Sequence, residues 1–211
     1  ESVLPLIGKG KTAVIKSTIL PGTAKALQAK FPDINVIHSP EFLRELHARD
    51  DARHPPRTII GLPEKNTKYQ ALADELLTIL PKSPYQLVCT AEEAELIKYG
   101  GNCFLTLKLV YMNLLYDLAE ATGADYNVVA EAVGADSRIG SSHMQVVSED
   151  GKRGAGGHCF PKDLAALREV YEKLMGVSMG TDLLKAIENK NNQLLRSTDK
   201  DVNLLNDIYG F

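Results

Sequence analysis

Residues 85–122 read YQLVCTAEEAELIKYGGNCFLTLKLVYMNLLYDLAEAT, and the character of the chain changes inside them at Thr90. Residues 85–89 read as a short buried strand. Residues 91–122 contain no proline and carry strong helical periodicity, which at about 1.5 Å per residue predicts a helix of about 45 Å, longer than a small domain is wide. Gly100 and Gly101 lie inside it, and each costs about 1 kcal/mol relative to Ala in a helix interior. The pair points to a kink, or to close approach of another backbone or a ligand.

Upstream, strand and helix signals alternate. Residues 12–17, 34–38 and 58–62 are three further strands, closed by Pro21-Gly22, Ser39-Pro40-Glu41 and Gly61-Leu62-Pro63. Residues 23–31 and 66–80 are helices between them, the second capped by Asn66 or Thr67. Such alternation implies parallel pairing and a layered α/β sheet. Downstream, residues 126–133, 162–175 and 181–195 read as helices, and the last fifteen or so residues are polar and expected to fray. The boundary falls near residue 90: an α/β part over 1–90, resembling a partial Rossmann-like parallel sheet, then an all-α part over 91–211 built on the long helix.

Composition narrows the function classes. Of 211 residues, 44% are apolar and 24% charged, as in ordinary globular proteins. The 24 basic and 27 acidic residues give a net charge of −3, without the basic surplus that phosphate neutralisation demands, so nucleic acid is not an expected partner. No apolar run reaches the length of a membrane span, and Lys108 interrupts the richest stretch, residues 104–115. No signal peptide is visible, although the chain opens at Glu1 without Met, which leaves room for an upstream segment. Cys89, Cys103 and Cys159 are too few and too scattered for a disulfide framework, and without a CxxC pair no structural zinc is expected. The default setting is reducing and cytoplasmic, and the open question is whether one cysteine is a nucleophile.

Three constellations could carry chemistry. In the segment from Gly154 to Asp163, glycines permit close backbone approach, and Cys159 precedes Pro161, a residue suited to a helix's first turn. The positive helix end and Lys162 would favour a thiolate there. The plain alternative is a glycine turn with a passive cysteine. Lys98 and Asn102, four apart, share a helix face and could stabilise an oxyanion, or simply be solvated. The run Ser39 to Glu45 follows a strand end, where ligands of parallel sheets collect, and Glu41 with Glu45 could activate water or merely complement a helix dipole. Lys16-Ser17-Thr18 ends another strand and could place Thr18 near a cofactor.

In their order, these segments resemble the nucleotide-sugar dehydrogenase family, most closely its UDP-glucose branch with the GDP-mannose branch nearby. The matching pieces are Lys16 to Thr23, Ser39 to Glu45, Ala94 to Lys98 with Asn102, Ala121 to Asp125, Asp136 to Gly140, and the glycine–cysteine segment ending at Asp163. The resemblance implies oxidation of a sugar's primary alcohol to a carboxylate with reduction of two NAD. It implies Cys159 as nucleophile, through a thiohemiacetal and a thioester. Lys98 and Asn102 would stabilise the reacting oxygen, Glu41 would assist thioester hydrolysis, and Asp163 would support the water or Lys98. Thr18, with Ser17, Glu45 and Lys162, would serve the cofactor end. Glu41, Phe42, Leu43, Arg44 and Glu45 would line the sugar nucleotide, beneath a loop of Gly154, Gly156 and Gly157. Arg138 would reach substrate across a dimer interface.

There are departures. No GxGxxG occurs, and the family's C-terminal α/β domain has no counterpart after Leu195, so the chain reads as a fragment that is inactive alone. Ala155 stands where an aromatic is usual, and the stretch 141–153 is longer than the family's. A non-catalytic helical dimerisation module with a vestigial site is the competing class. A cysteine hydrolase would need a His base, and His158 is adjacent in sequence, which points its side chain elsewhere. Apolar residues on several faces of the long helix, among them Leu105, Leu109, Met112 and Tyr116, predict a homodimer through the helical part.

Overall fold

The computed structural model describes residues 2–44 and 47–210. Its elements run β1 (Thr12–Ile15), α1 (Thr23–Lys30), β2 (Asn35–His38), α2 (Ala48–Arg53), β3 (Arg57–Leu62), α3 (Thr67–Ile79) and β4 (Tyr85–Thr90). Helices follow: α4 (Ala91–Thr122), α5 (Tyr126–Gly134), α6 (Phe160–Met175), α7 (Met179–Ser197) and α8 (Val202–Tyr209). The four strands form one mostly parallel sheet, and the remainder is helical around α4, as the alternation and the long Pro-free stretch predict. By contacts the chain divides into two compact units, Glu1–Lys98 and Tyr99–Phe211, with the first turns of α4 belonging to the first.

In the first unit the strand order is β1-β2-β3-β4. β1 and β2 pair parallel from Thr12↔Asn35 to Ile15↔His38, and β3 and β4 pair parallel from Arg57↔Tyr85 to Leu62↔Thr90. The two pairs meet antiparallel at His38↔Gly61, which corrects the expectation of parallel pairing throughout. The reason lies in the connections. α1, at about 12 Å, carries the chain back along a strand of similar length, whereas six-residue α2 rises only about 9 Å and does not return the chain to the start of β2, so that Gly61, near the end of β3, meets His38 at the end of β2.

Alternation along the strands supplies both faces of the sheet. Val36 packs with Ala24 and Leu27 of α1, while its neighbour Ile37 packs with Tyr69 and Ala73 of α3. Ile60 joins the α3 side, and Ile59 packs with Cys89 and Ala94. Burial on both faces is the pattern of a covered parallel sheet. Gly61 permits the first turns of α4 to close on the sheet: a Cβ there would lie 2.6 Å from Ala94 Cβ and 2.9 Å from Ala91 Cα. The start of α1 is capped from outside its own helix. Gly22 has no side chain to offer, and the fully buried Glu95 accepts from Gly22 N at 2.6 Å and Ala24 N at 2.9 Å. Burial pushes the Glu95 carboxyl up, and those two N–H groups oppose it. α3 takes Asn66 as its cap, through Tyr69 N at 3.0 Å.

In the second unit α4 continues through Gly100 and Gly101 as α-helix. One face buries Tyr99, Cys103 and Val110 against Leu164 of α6 and Ile187 of α7. Another buries Met112 and Ala119 against Tyr126 and Ala130 of α5 and against Met144 and Val146. The third is open: Phe104, Leu107, Tyr111, Leu114 and Leu118 are exposed large apolar residues. Of the residues expected at an interface, Met112 is buried inside the unit and Leu105, Leu109 and Tyr116 are half-buried, so the outward stripe is a different set. The expected fraying is not what residues 198–210 show: α8 buries Leu205 completely, and Tyr209 donates to Glu188 Oε1 at 2.8 Å. No helix among the described residues is long and apolar enough to cross a membrane.

Candidate active site

The parallel pairing of β1 and β2 brings their carboxyl ends side by side, and both expected segments begin there. Ser39 N bonds Ile15 O at 2.9 Å and Glu41 N bonds Lys16 O at 3.2 Å, which zips Ser39 to Glu41 against Lys16. Lys16 Nζ lies 2.9 Å from Glu41 Oε1 and 3.1 Å from Ser39 Oγ. The Lys98 ammonium, on a buried side chain, donates to the main-chain carbonyl of Glu41 at 2.6 Å and stands 5.4 Å from the centre of the Phe42 ring. Arg57 covers the same ring at 3.9 Å, and Phe42 packs toward the sheet core with Ile59, Leu87 and Ile97.

Beneath this cluster His38 is completely buried, with Nε2 3.2 Å from the Ser17 carbonyl and Nδ1 buried without a partner. Burial pushes the imidazole down to about 4, with Lys16 adding to the shift and the Ser17 bond opposing it. The neutral ring therefore donates through Nε2 and holds the Ser17–Thr18 turn, with Ser17 exposed and Thr18 half-buried. Arg44 is clamped to Asp51 by a backbone and two side-chain bonds of 2.6–3.0 Å, and the guanidinium holds the Asp51 carboxyl at about 2. Leu43 is exposed. Glu45 lies outside the described residues.

In the second unit Cys159 is the N-cap residue of α6, exposed, with Pro161 in the first turn. The turn is stitched by Asp163 N to Cys159 O at 2.9 Å. Asp163, fully buried, accepts from Asn102 Nδ2 at 2.6 Å and from Lys162 Nζ at 2.5 Å. Asn102, Lys162 and Asp163 thus form one bonded group, in which Lys162 pairs with its neighbour. The other two thiols are buried: burial pushes Cys89 up to about 11 and Cys103 up to about 12. Cys159 is the only cysteine presented to solvent. Gly154 is buried, and Gly156 and Gly157 are half-buried. Arg138 is exposed and bidentate to Asp136, with bonds of 2.6–3.2 Å.

Several positioning contacts had no local signal in the sequence. Lys108, read only as an interruption of an apolar run, is buried and donates to the carbonyls of Ile139 at 3.0 Å and Gly140 at 2.9 Å, fixing the Arg138 turn. Arg153 stacks on Tyr116 at 4.5 Å and bonds Asn113 and Asp117, which anchors the strap 141–153 to α4. Only the strap's length marked it beforehand.

The architecture is an α/β unit with a ligand-type strand edge followed by a helical unit carrying an exposed cysteine at a helix start. Comparison with known proteins makes this specific. The NAD binding domain of the UDP-glucose/GDP-mannose dehydrogenase family matches residues 1–80, and the central domain of the same family matches residues 92–193. The chain belongs to the UDP-glucose/GDP-mannose dehydrogenase family. UDP-glucose 6-dehydrogenase of Rickettsia prowazekii is 36% identical over 82% of this chain and 39% of its own length. UDP-glucose 6-dehydrogenase TuaD of Bacillus subtilis is 34% identical over 95% of this chain and 42% of its own. A UDP-glucose dehydrogenase structure from the archaeon Pyrobaculum islandicum superposes with a TM-score of 0.74 at 34% identity, over 95% of this chain and 45% of that one. The chain therefore spans less than half the length of these relatives.

Proposed function

We propose that these residues serve an NAD-dependent nucleotide-sugar dehydrogenase that oxidises the primary alcohol of UDP-glucose to the uronic acid. Residues 1–90 act as the C-terminal half of its NAD-binding domain, and residues 91–211 as its central helical domain. The observation that carries the reading is the presentation of Cys159 alone among the cysteines, at the start of α6 and one turn from the Asn102–Asp163–Lys162 group.

The residues present suit the nicotinamide end of the dinucleotide: Lys16, Ser17 and Thr18 at the end of β1 adjoin Ser39 and Glu41 at the end of β2. For the pyrophosphate, the 211 residues hold no GxGxxG, so by themselves they are inactive. Bound NAD supplies the hydride acceptor for both oxidations. The Cys159 sulfur adds to the carbonyl carbon of the aldehyde to give a thiohemiacetal, whose oxidation leaves a thioester. Lys98 and Asn102 stabilise negative charge on the reacting oxygen, with Lys98 exchanging the proton. Glu41 assists the water that cleaves the thioester and returns the thiol, and Asp163 supports that water or Lys98. Phe42, Leu43, Arg44 and Glu45, with Gly154, Gly156 and Gly157, line the sugar nucleotide, and Ser17, Thr18, Glu45 and Lys162 serve the cofactor.

A second copy of the chain is the proposed partner, docked along α4, with Arg138 reaching the partner's substrate. Support comes from the exposed stripe Phe104, Leu107, Tyr111, Leu114 and Leu118, whose alternating spacing of three and four is the repeat that packs helix against helix.

The test measures NADH released per UDP-glucose, for the 211 residues alone and for a version carrying a GxGxxG half-domain and a C-terminal nucleotide domain. Two NADH per sugar in the completed version, lost in Cys159→Ser, supports the thioester route. A single NADH per sugar, or acid formation undiminished in Cys159→Ser, overturns it.

A further inference from the structure

The segment leading into Cys159 is tied down from Arg153 to Gly157 by α7 and by the turn that follows it. Arg153 N donates to Thr198 Oγ1 at 3.0 Å, and the Gly154 carbonyl accepts from Lys200 Nζ at 2.9 Å. Ala155 is held on both sides of its peptide by buried Asn191, through N to Oδ1 at 2.8 Å and Nδ2 to O at 2.9 Å. Gly157 N donates to Asp201 Oδ2 at 2.7 Å.

Asp201 gives up an ordinary role to make that bond. It occupies the N-cap position of α8, where an Asp side chain usually accepts from its own helix, yet it makes no such bond. Its backbone sits at φ 53°, and Asp199 before it at φ 52°, conformations that residues with side chains rarely adopt. The fit against the glycine segment is close: a Cβ on Gly156 would lie 2.0 Å from Asp201 Oδ2 and 3.0 Å from Lys200 Cε. Thr198, Lys200 and Asp201 all lie beyond residues 92–193, the part matched to the family's central domain.

We propose that Asp201 and Lys200 are positioning residues for Cys159: the turn 198–201 latches the outer half of the glycine segment and so sets the place of the thiol two residues beyond Gly157. The proposal rests on the reading of Cys159 as the nucleophile. Asn191, on an ordered helix, fixes Ala155. Beyond it Asp201 restrains the peptide at Gly157, and glycine left unrestrained samples a wide range of conformations.

The test uses the 211-residue chain and two readouts that need no turnover: amide hydrogen exchange across residues 154–159, and the rate of Cys159 alkylation by iodoacetamide. Asp201→Ala is expected to speed exchange at Gly157 by about tenfold, the worth of one charge-assisted bond, and to change the alkylation rate by at least about threefold. Asp201→Asn keeps an acceptor oxygen and is expected to restore both to within about twofold of the parent. This comparison separates positioning from charge, because both variants remove the same negative charge. Gly156→Ala, which displaces the Asp201 carboxylate, is expected to reproduce Asp201→Ala and to add little when combined with it. Lys200→Met, which removes only the bond to Gly154, covers the case in which Asp201→Ala fails to fold. Exchange and alkylation unchanged in folded Asp201→Ala and Lys200→Met, or alkylation equally altered in Asp201→Ala and Asp201→Asn, overturn the proposal. Either result leaves the NADH stoichiometry, which tests the proposed reaction, to be decided separately.

Discussion

The Lys98 ammonium is bonded to the main-chain carbonyl of Glu41 at 2.6 Å, and the Glu41 carboxylate is held instead by Lys16 at 2.9 Å. The two charged groups are thus oriented independently, one by backbone and one by a neighbouring cation.

That independence separates two substitutions. Lys16 and Glu41 are both substantially solvated, so Glu41→Gln is expected to alter stability by less than about 1 kcal/mol. Lys98→Ala removes a buried stem beside Phe42 and the donor to a main-chain carbonyl, and is expected to cost about 2–4 kcal/mol. Urea denaturation of both variants measures the contrast, and equal losses would show that Glu41 and Lys98 act as one unit.

Thiol reactivity is expected to single out Cys159. With Cys89 at about 11 and Cys103 at about 12, their thiolate fractions near pH 8 are on the order of one in a thousand or less, and both side chains are buried. Mass spectrometry after brief iodoacetamide treatment should show one adduct on the folded chain, none on Cys159→Ser and three on the unfolded chain. Rapid modification of Cys103 in the folded chain would contradict its burial against α6 and α7.

His38 gives stability a defined pH dependence. Its folded value of about 4 lies below the unfolded value of 6.5, so above pH 6.5 both states are neutral and its full contribution is present. As pH falls from 6.5 to 4 the unfolded chain takes up a proton that the folded chain refuses, and about 3 kcal/mol is lost over that window. His38→Gln should flatten this part of the profile. Glu95, shifted upward, acts in the opposite sense as pH rises through the carboxylate range, but it is common to both proteins and cancels in their difference. Denaturant unfolding at pH 5 and pH 7 provides the check, and an identical difference for parent and variant would argue against a buried neutral imidazole.

Assembly can be tested on the outward stripe of α4. Leu107→Asp or Tyr111→Glu should shift a dimer to monomer in sedimentation equilibrium while leaving helix content unchanged, because both side chains face solvent in the single chain. A parent chain that stays monomeric at high concentration removes the basis for docking along α4.

Local order alone determined much of this protein. Residues 91–122 read as one long helix, since periodicity without proline outweighs two glycines; Asn66 announced a helix start; and Cys159 before Pro161 announced the start of α6. These features depend on residues within a few positions of one another. Tertiary structure decided the rest: the antiparallel join at His38↔Gly61, Glu95 as the cap of a helix some seventy residues upstream, Lys108 on the Arg138 turn, and α8 ordered by burial of Leu205 in a stretch that reads as polar tail. A lysine or carboxylate has the same intrinsic bonding capacity wherever it stands. Which carbonyl or N–H it meets is set by segments distant in sequence that share a core, and neighbouring residues hold no record of that meeting.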